Sequence, residues 1–157
     1  MAIALSSAGI TVSYAVEATA GTRPTTAASF TKIPEIKSLP DLNPEPSVLD
    51  STTFDNLEFR SYIQGLKDLG GAIAFTANMN DTFQTAWEGL VTAAETGKAS
   101  DKATWFCVQI PNLTKTFYFA GEPSPLGMSA QDVGSVVEIQ AYVVPNKVEG
   151  WAAAPTT

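Results

Sequence analysis

Sixteen carboxylates and nine cationic side chains are present in this chain, but it has no histidine and a single cysteine. Without histidine the commonest general base and transition-metal ligand is missing, so a Ser-His-Asp triad cannot be assembled. Cys107 alone leaves zinc short of the nitrogen and sulfur ligands it requires. What remains is carboxylate chemistry. A carboxylate pair can hydrolyse a glycosidic bond if one acid has a raised pKa in a cleft. Asp55 with Glu58, and Asp132 with Glu138, instead sit where solvated turn and strand charges are expected. Asp41, Asp50 and Asp55 with Asn43 and Asn56 offer oxygen ligands, yet lack the closely alternating spacing of a calcium loop, and turn formation accounts for them. Gly70-Gly71 follows a turn and leads into a strand-like run, whereas a phosphate loop leads from a strand into a helix. The chain therefore reads as non-enzymatic, with no cofactor and no metal. Trp87, Trp105 and Trp151 could stack on a sugar, but Trp87 falls on an apolar helical stripe, which points to the core.

Composition narrows the classes further. The 157 residues suit one domain, 1–157, with enough chain to bury a core. Only 16% of residues are charged, against about 25% in average globular proteins, as expected of a chain that buries surface against copies of itself. A net charge of −7 and a pI near 4.4 argue against gripping nucleic acid, which takes clustered Lys and Arg. One cysteine fits a reducing cytoplasm. The start MAIALSSAGITVSYAVEATA lacks the basic segment of a targeting signal. No apolar run approaches the ~18–20 residues needed to span a bilayer, so membrane insertion is not expected.

The elements follow from periodicity. Residues 1–9 read as an N-terminal arm, Thr11 to Glu17 as a strand, Ala18 to Ser29 as a loop, and Phe30 to Ser38 as an edge strand interrupted by Pro34. Leu57, Phe59 and Ile63 alternate with Glu58, Arg60 and Gln64, predicting a strand that turns at 65–71 and forms a hairpin with residues 72–78. Phe83, Ala86, Trp87, Leu90, Val91 and Ala94 recur on one face of a helix over 82–96, capped by Asp81 and closed by a left-handed Gly97. Thr104 to Ile110 and Lys115 to Ala120 form a hairpin, Gly121 to Pro125 breaks it, and Ser135 to Val144 is the last strand. Residues 147–157 read as a C-terminal arm. The sum is an α+β domain, mainly antiparallel, a β-sandwich or barrel of about seven strands with one flanking helix.

Between these elements, Pro40, Pro44 and Pro46 force residues 39–56 into a long surface loop. The run YIQGLKDLGG, preceded by IPEIKSLPDLNPEP and SYAVEATAGTRPT, resembles the major tail tube proteins of long-tailed bacteriophages and prophages. The resemblance covers roughly Gly9 through Asn146 and rests on the order and spacing of these segments. It implies a structural virion protein that forms hexameric rings stacked into a tail tube, assembled in the bacterial host cytoplasm. It also implies, as partners, copies of itself, a tape measure protein, a tail-tip initiator complex and a tail terminator, with genome DNA passing through without sequence-specific binding. By that analogy the 39–56 loop reaches the next ring through Leu39, Leu42, Val48, Leu49 and Phe54. Glu58, Arg60, Gln64, Glu138 and Gln140 are then candidates for the lumen. An adhesion or carbohydrate-binding module of a virion tail, and a tube protein like that of type VI secretion, are the alternatives.

Overall fold

The computed structural model describes residues 3–157. Among them are nine strands and one α-helix, mainly antiparallel β, with seven strands in one curled sheet and two in a separate ribbon. The sheet runs β2 (Thr31–Lys32), β1 (Thr11–Val16), β7 (Thr104–Gln109), β8 (Lys115–Pro123), β9 (Glu138–Ala153), β6 (Ile73–Asn78), β3 (Ile36–Ser38). Every neighbouring pair is antiparallel.

Residues 30–38, expected as one strand, are two, and they stand on opposite edges of the sheet. Pro34 cannot donate to a ladder and Glu35 has φ 65°, so the strand breaks there. The Ile33 amide donates to Val12 O on β1 at 2.8 Å, and Glu35 O accepts from the Asn78 amide on β6 at 3.0 Å. The three residues from Ile33 to Glu35 thus tie the two edges together and curl the sheet around one core.

Helix α1 (Asp81–Lys98) fills that curl with buried Phe83, Trp87 and Leu90. Val91 packs on the same cluster, and Ala86 and Ala94 are half-buried at its margin. Phe75, Phe106 and Phe119 from β6, β7 and β8 meet the helix, with Phe106 and Phe119 stacked at 5.1 Å. The indole N–H of Trp87 donates to Ser124 O at 2.8 Å, so its one polar atom is satisfied inside the core. The N-cap is Asn80 rather than Asp81, its side chain accepting from the Phe83 amide at 3.0 Å. Nor does Gly97 end the helix. It is a buried helical residue whose missing Cβ would lie 2.6 Å from Val16 Cγ1, so close packing on β1 explains the glycine.

Two strands run past their expected ends. β8 continues through Gly121 to Pro123, and β9 through Gly150 to Ala153, paired from Lys115↔Ala153 to Pro123↔Val143. Register shifts between Tyr118 and Phe119 and between Ala120 and Gly121 absorb the Pro and Gly residues that look like breakers. Residues 147–153 are therefore strand, not arm. The Thr156 amide also donates to Thr25 O at 2.9 Å. Of the expected N-terminal arm, residues 1 and 2 lie outside the described residues, and residues 3–9 include no helix or strand.

On the sheet's other face, Trp105, Cys107, Tyr118 and Ala120 form a second buried cluster with Phe30, Ala103 and Ala152 packed on it. This chain's own residues cover Trp105, one of the indoles that could have stacked on a sugar. Glu17, only 5% exposed, accepts from Trp105 Nε1 and the Ala103 amide, both at 2.9 Å, and from the Gly21 amide at 3.1 Å. Burial pushes its carboxyl pKa up, but these three donors and the charge of Lys147 outweigh burial and hold it below its ordinary 4.5.

Truncating a buried tryptophan typically costs about 3–5 kcal/mol, a large share of the ~5–15 kcal/mol that holds a domain together. Trp87→Ala is thus expected to lower the unfolding midpoint sharply in urea or on heating, while Glu88→Ala, on the exposed side of α1, stays within about 0.5 kcal/mol of the parent. Because the folded state lowers the Glu17 pKa, its stabilisation is present above pH 4.5 and is lost as pH falls through the folded value. Glu17→Gln should be less stable than the parent at pH 7, with the gap narrowing at pH 3 in urea titrations.

Candidate assembly surface

β4 (Pro46–Asp50), within the 39–56 stretch expected to be loop, pairs with β5 (Tyr62–Lys67) in a two-stranded ribbon. Pro46 opens β4, where an absent amide costs no central ladder bond. The strand expected at 57–64 starts at Tyr62 and continues through Gly65, Leu66 and Lys67, and it pairs with β4 rather than with residues 72–78. β6 is occupied on both sides by β9 and β3. The expected alternation of Leu57, Phe59 and Ile63 faces no core: all three are exposed, Leu57 by 91%. The turn at Gly70-Gly71 is present, with both glycines at positive φ and the Gly70 amide bonded to Asp68 Oδ1 at 2.8 Å.

Short polar side chains order the connection 51–61. Asp50 Oδ1 accepts from the Thr52 amide at 2.9 Å, and Asn56 Oδ1 accepts from the Thr53 amide at 2.8 Å. The Thr52 hydroxyl and amide hold the Asp50 carboxyl below its ordinary range. Arg60 approaches Asp50 at 3.8 Å, an exposed pair of small worth. The strands meet closely at Gly65, where a Cβ would lie 2.3 Å from Ser47 Oγ and 3.2 Å from Ser47 O.

Pairing Val48 with Gln64, Leu49 with Ile63 and Asp50 with Tyr62 puts Val48 and Tyr62 on one face of the ribbon and Leu49 and Ile63 on the other. All four are more than half exposed, Leu66 is 88% exposed, and Phe54 at the tip is fully exposed. Among the described residues neither β4 nor β5 has a second strand beside it. A ribbon apolar on both faces and open at both edges is marginal alone in water and invites a partner.

The expected site residues divide accordingly. Val48, Leu49 and Phe54 lie on the hairpin, whereas Leu39 and Leu42 are half-buried and pack against the chain's own core. Glu58, Arg60 and Gln64 share that hairpin with the apolar candidates. Glu138 and Gln140 lie apart from them, on the outward face of β9, where Lys37 pairs with Glu138 and the Tyr142 hydroxyl donates to Gln140 Oε1 at 2.9 Å. An open groove of about 550 Å³ borders Glu138, Gln140, Tyr142 and Met128. Leu66 is a surface residue that sequence reasoning missed, since it reads as part of the turn at 65–71 and belongs to β5 only once β4 is its partner. A second open edge belongs to β9, which pairs with β6 only through Val143 and then extends to Ala153 along β8 alone. Val144, Val148 and Trp151 on this stretch are about half exposed.

No family model matches this chain, and no curated protein matches it significantly. Among the described residues no helix is long and apolar enough to cross a membrane.

Pro46 and Lys67 face each other at the base of the hairpin, so a short Gly/Ser connection can replace residues 47–66 without pulling on the sheet. That deletion is expected to move Tm by no more than about 3 °C and to reduce binding of a hydrophobic fluorescent dye. Loss of cooperative unfolding would show that the hairpin belongs to the core.

Proposed function

We propose that this chain is a non-enzymatic structural protein that polymerises with copies of itself into stacked hexameric rings, the tail tube of a bacteriophage or prophage. The observation that carries the reading is the β4–β5 hairpin, with exposed apolar side chains on both faces and no cover among the described residues. Such a surface gains stability when another copy removes it from water. The open stretch of β9 offers a backbone ladder of the kind that joins subunit to subunit. Contacts of this heterologous type close into a ring where rotation brings them round and stack where they advance along an axis. The resemblance of residues 9–146 to tail tube proteins supplies the particular assembly. With it come a place in the virion tail, assembly in the host cytoplasm, and the tape measure, initiator and terminator partners. The net charge of −7 suits a conduit along which DNA slides without adhering.

The adhesion reading draws less support. Trp87 and Trp105 are buried, leaving Trp151 as the single half-exposed indole. A tube that carries protein, like that of type VI secretion, shares the assembly and differs in cargo.

Concentrated protein is expected to form rings or tubes with a central channel in negative-stain micrographs. Leu49→Asp with Ile63→Asp should keep the parent's circular dichroism and abolish those particles. Strictly monomeric sedimentation across a wide concentration range, with and without a tail-tip initiator, would overturn the proposal.

A further inference from the structure

Residues 18–30 cross the face of β7 and β8 opposite the helix, and not one of them is buried. Arg23 and Phe30 of this segment lie on Tyr118, whose cross-strand neighbour is Cys107, in a cluster with Trp105 and Ala120 whose members are each at most 3% exposed. The covering segment thus hides apolar surface while contributing little of its own, the signature of a part that opens locally. It is held at a few points. At its start, Glu17 binds the Gly21 amide with the same carboxylate that binds Ala103 and Trp105 of the sheet. In its middle, the Arg23 guanidinium lies 4.0 Å from the Tyr118 ring centroid, with Nη1 3.0 Å from a Glu149 oxygen. Near its end, the Ala27 amide donates to Thr156 O at 2.7 Å and Phe30 leans on Tyr118 at 6.3 Å.

These ties differ in strength. Arg23 meets Glu149 as an ion pair whose carboxylate side chain is more than a third exposed to water, which screens it. Glu17 holds more firmly. Its carboxylate is fully engaged, and it joins the segment to the sheet through a charged acceptor, the stronger kind of bond.

We propose that residues 18–30 form a strap that lifts from the sheet as one unit, with the nine strands and the helix still folded, and that Glu17 is its latch. Lifting uncovers Tyr118 and, beside it on β7, Cys107. The inference uses none of the hairpin residues that carry the assembly reading, and it shares with that reading only the free stretch of β9, where Glu149 pairs with Arg23.

Cys107, the chain's one cysteine, is a built-in reporter. While the strap is closed, burial pushes its thiol up to about 11, against weaker lowering by Ser13, so little thiolate is present to react. Labelling with an aromatic disulfide near pH 8, over urea concentrations below the unfolding transition, reads the opening directly. The parent is expected to label at a rate nearly independent of urea, because local opening exposes little surface. Glu17→Gln should label about tenfold faster or more, still independent of urea and with unchanged circular dichroism. If Glu17→Gln does not fold, the same comparison is made on the folded parent by hydrogen exchange. There the Gly21 and Ala27 amides should exchange well before those of Phe106 and Phe119. Labelling that rises with urea in step with global unfolding, a Glu17→Gln rate equal to the parent's, or equal protection of strap and sheet amides would each overturn the proposal.

Discussion

Three residues set the shape of this protein. Ile33, Pro34 and Glu35 join strands at the two far edges of a seven-stranded sheet, and a segment of that length spans at most about 10 Å. The sheet must curl until its edges nearly meet. Curling leaves an interior too narrow for a second sheet layer but suited to one helix, and Phe83, Trp87 and Leu90 occupy it. The Trp87 indole then fixes Ser124, and the segment after Ser124 runs along the first half of β9: the Ser124 amide donates to Tyr142 O at 2.9 Å, and Gln131 Nε2 to Glu138 O at 2.8 Å. One geometric constraint thus reaches from the edge linker through the helix to the covered half of the longest strand.

The apolar side chains that the core does not take up lie outside. The hairpin and the free half of β9 carry most of the large exposed hydrophobic side chains. Both are open in the same two senses, lacking apolar cover and lacking ladder partners. A protein that only had to remain a monomer would blunt such edges with charge, proline or bulges. β9 does carry Pro145, Lys147 and two register shifts, while β5 carries only Lys67 at its end. The contrast makes the hairpin the less protected surface.

How much of this could be read from residues alone depended on the range of the interaction involved. The helix and its buried face were legible because a 3.6-residue period is local, and Phe83, Trp87 and Leu90 fall where it puts them. Gly97 was misread because its role is contact with Val16, distant in sequence, and not backbone conformation. β5 was displaced because alternation continues on both sides of Ser61 and only the partner strand decides which stretch pairs. The second half of β9 was hidden by residues that bulges accommodate. Of the candidate assembly surface, the prolines disclosed its place on the outside. Its being a hairpin, and the inward packing of Leu39 and Leu42, depended on tertiary contacts.

The strand order also dictates how the chain comes together in time. β1 ends at Val16 while its partner β7 begins at Thr104, and β6 ends at Asn78 while β9 begins at Glu138. A nascent chain can close β4 on β5, and later β7 on β8, through short connections, but the middle of the sheet waits for β9, Glu138–Ala153, to leave the ribosome. Until β9 arrives, β8 and β6 lack the strand that separates them, and the helix has only part of an enclosure to fill. After the short pairing of β2 with β1, the next strand pair a growing chain can close is the exposed apolar hairpin, which exists before most of the sheet is made and must stay unclaimed by neighbouring nascent chains until β9 joins.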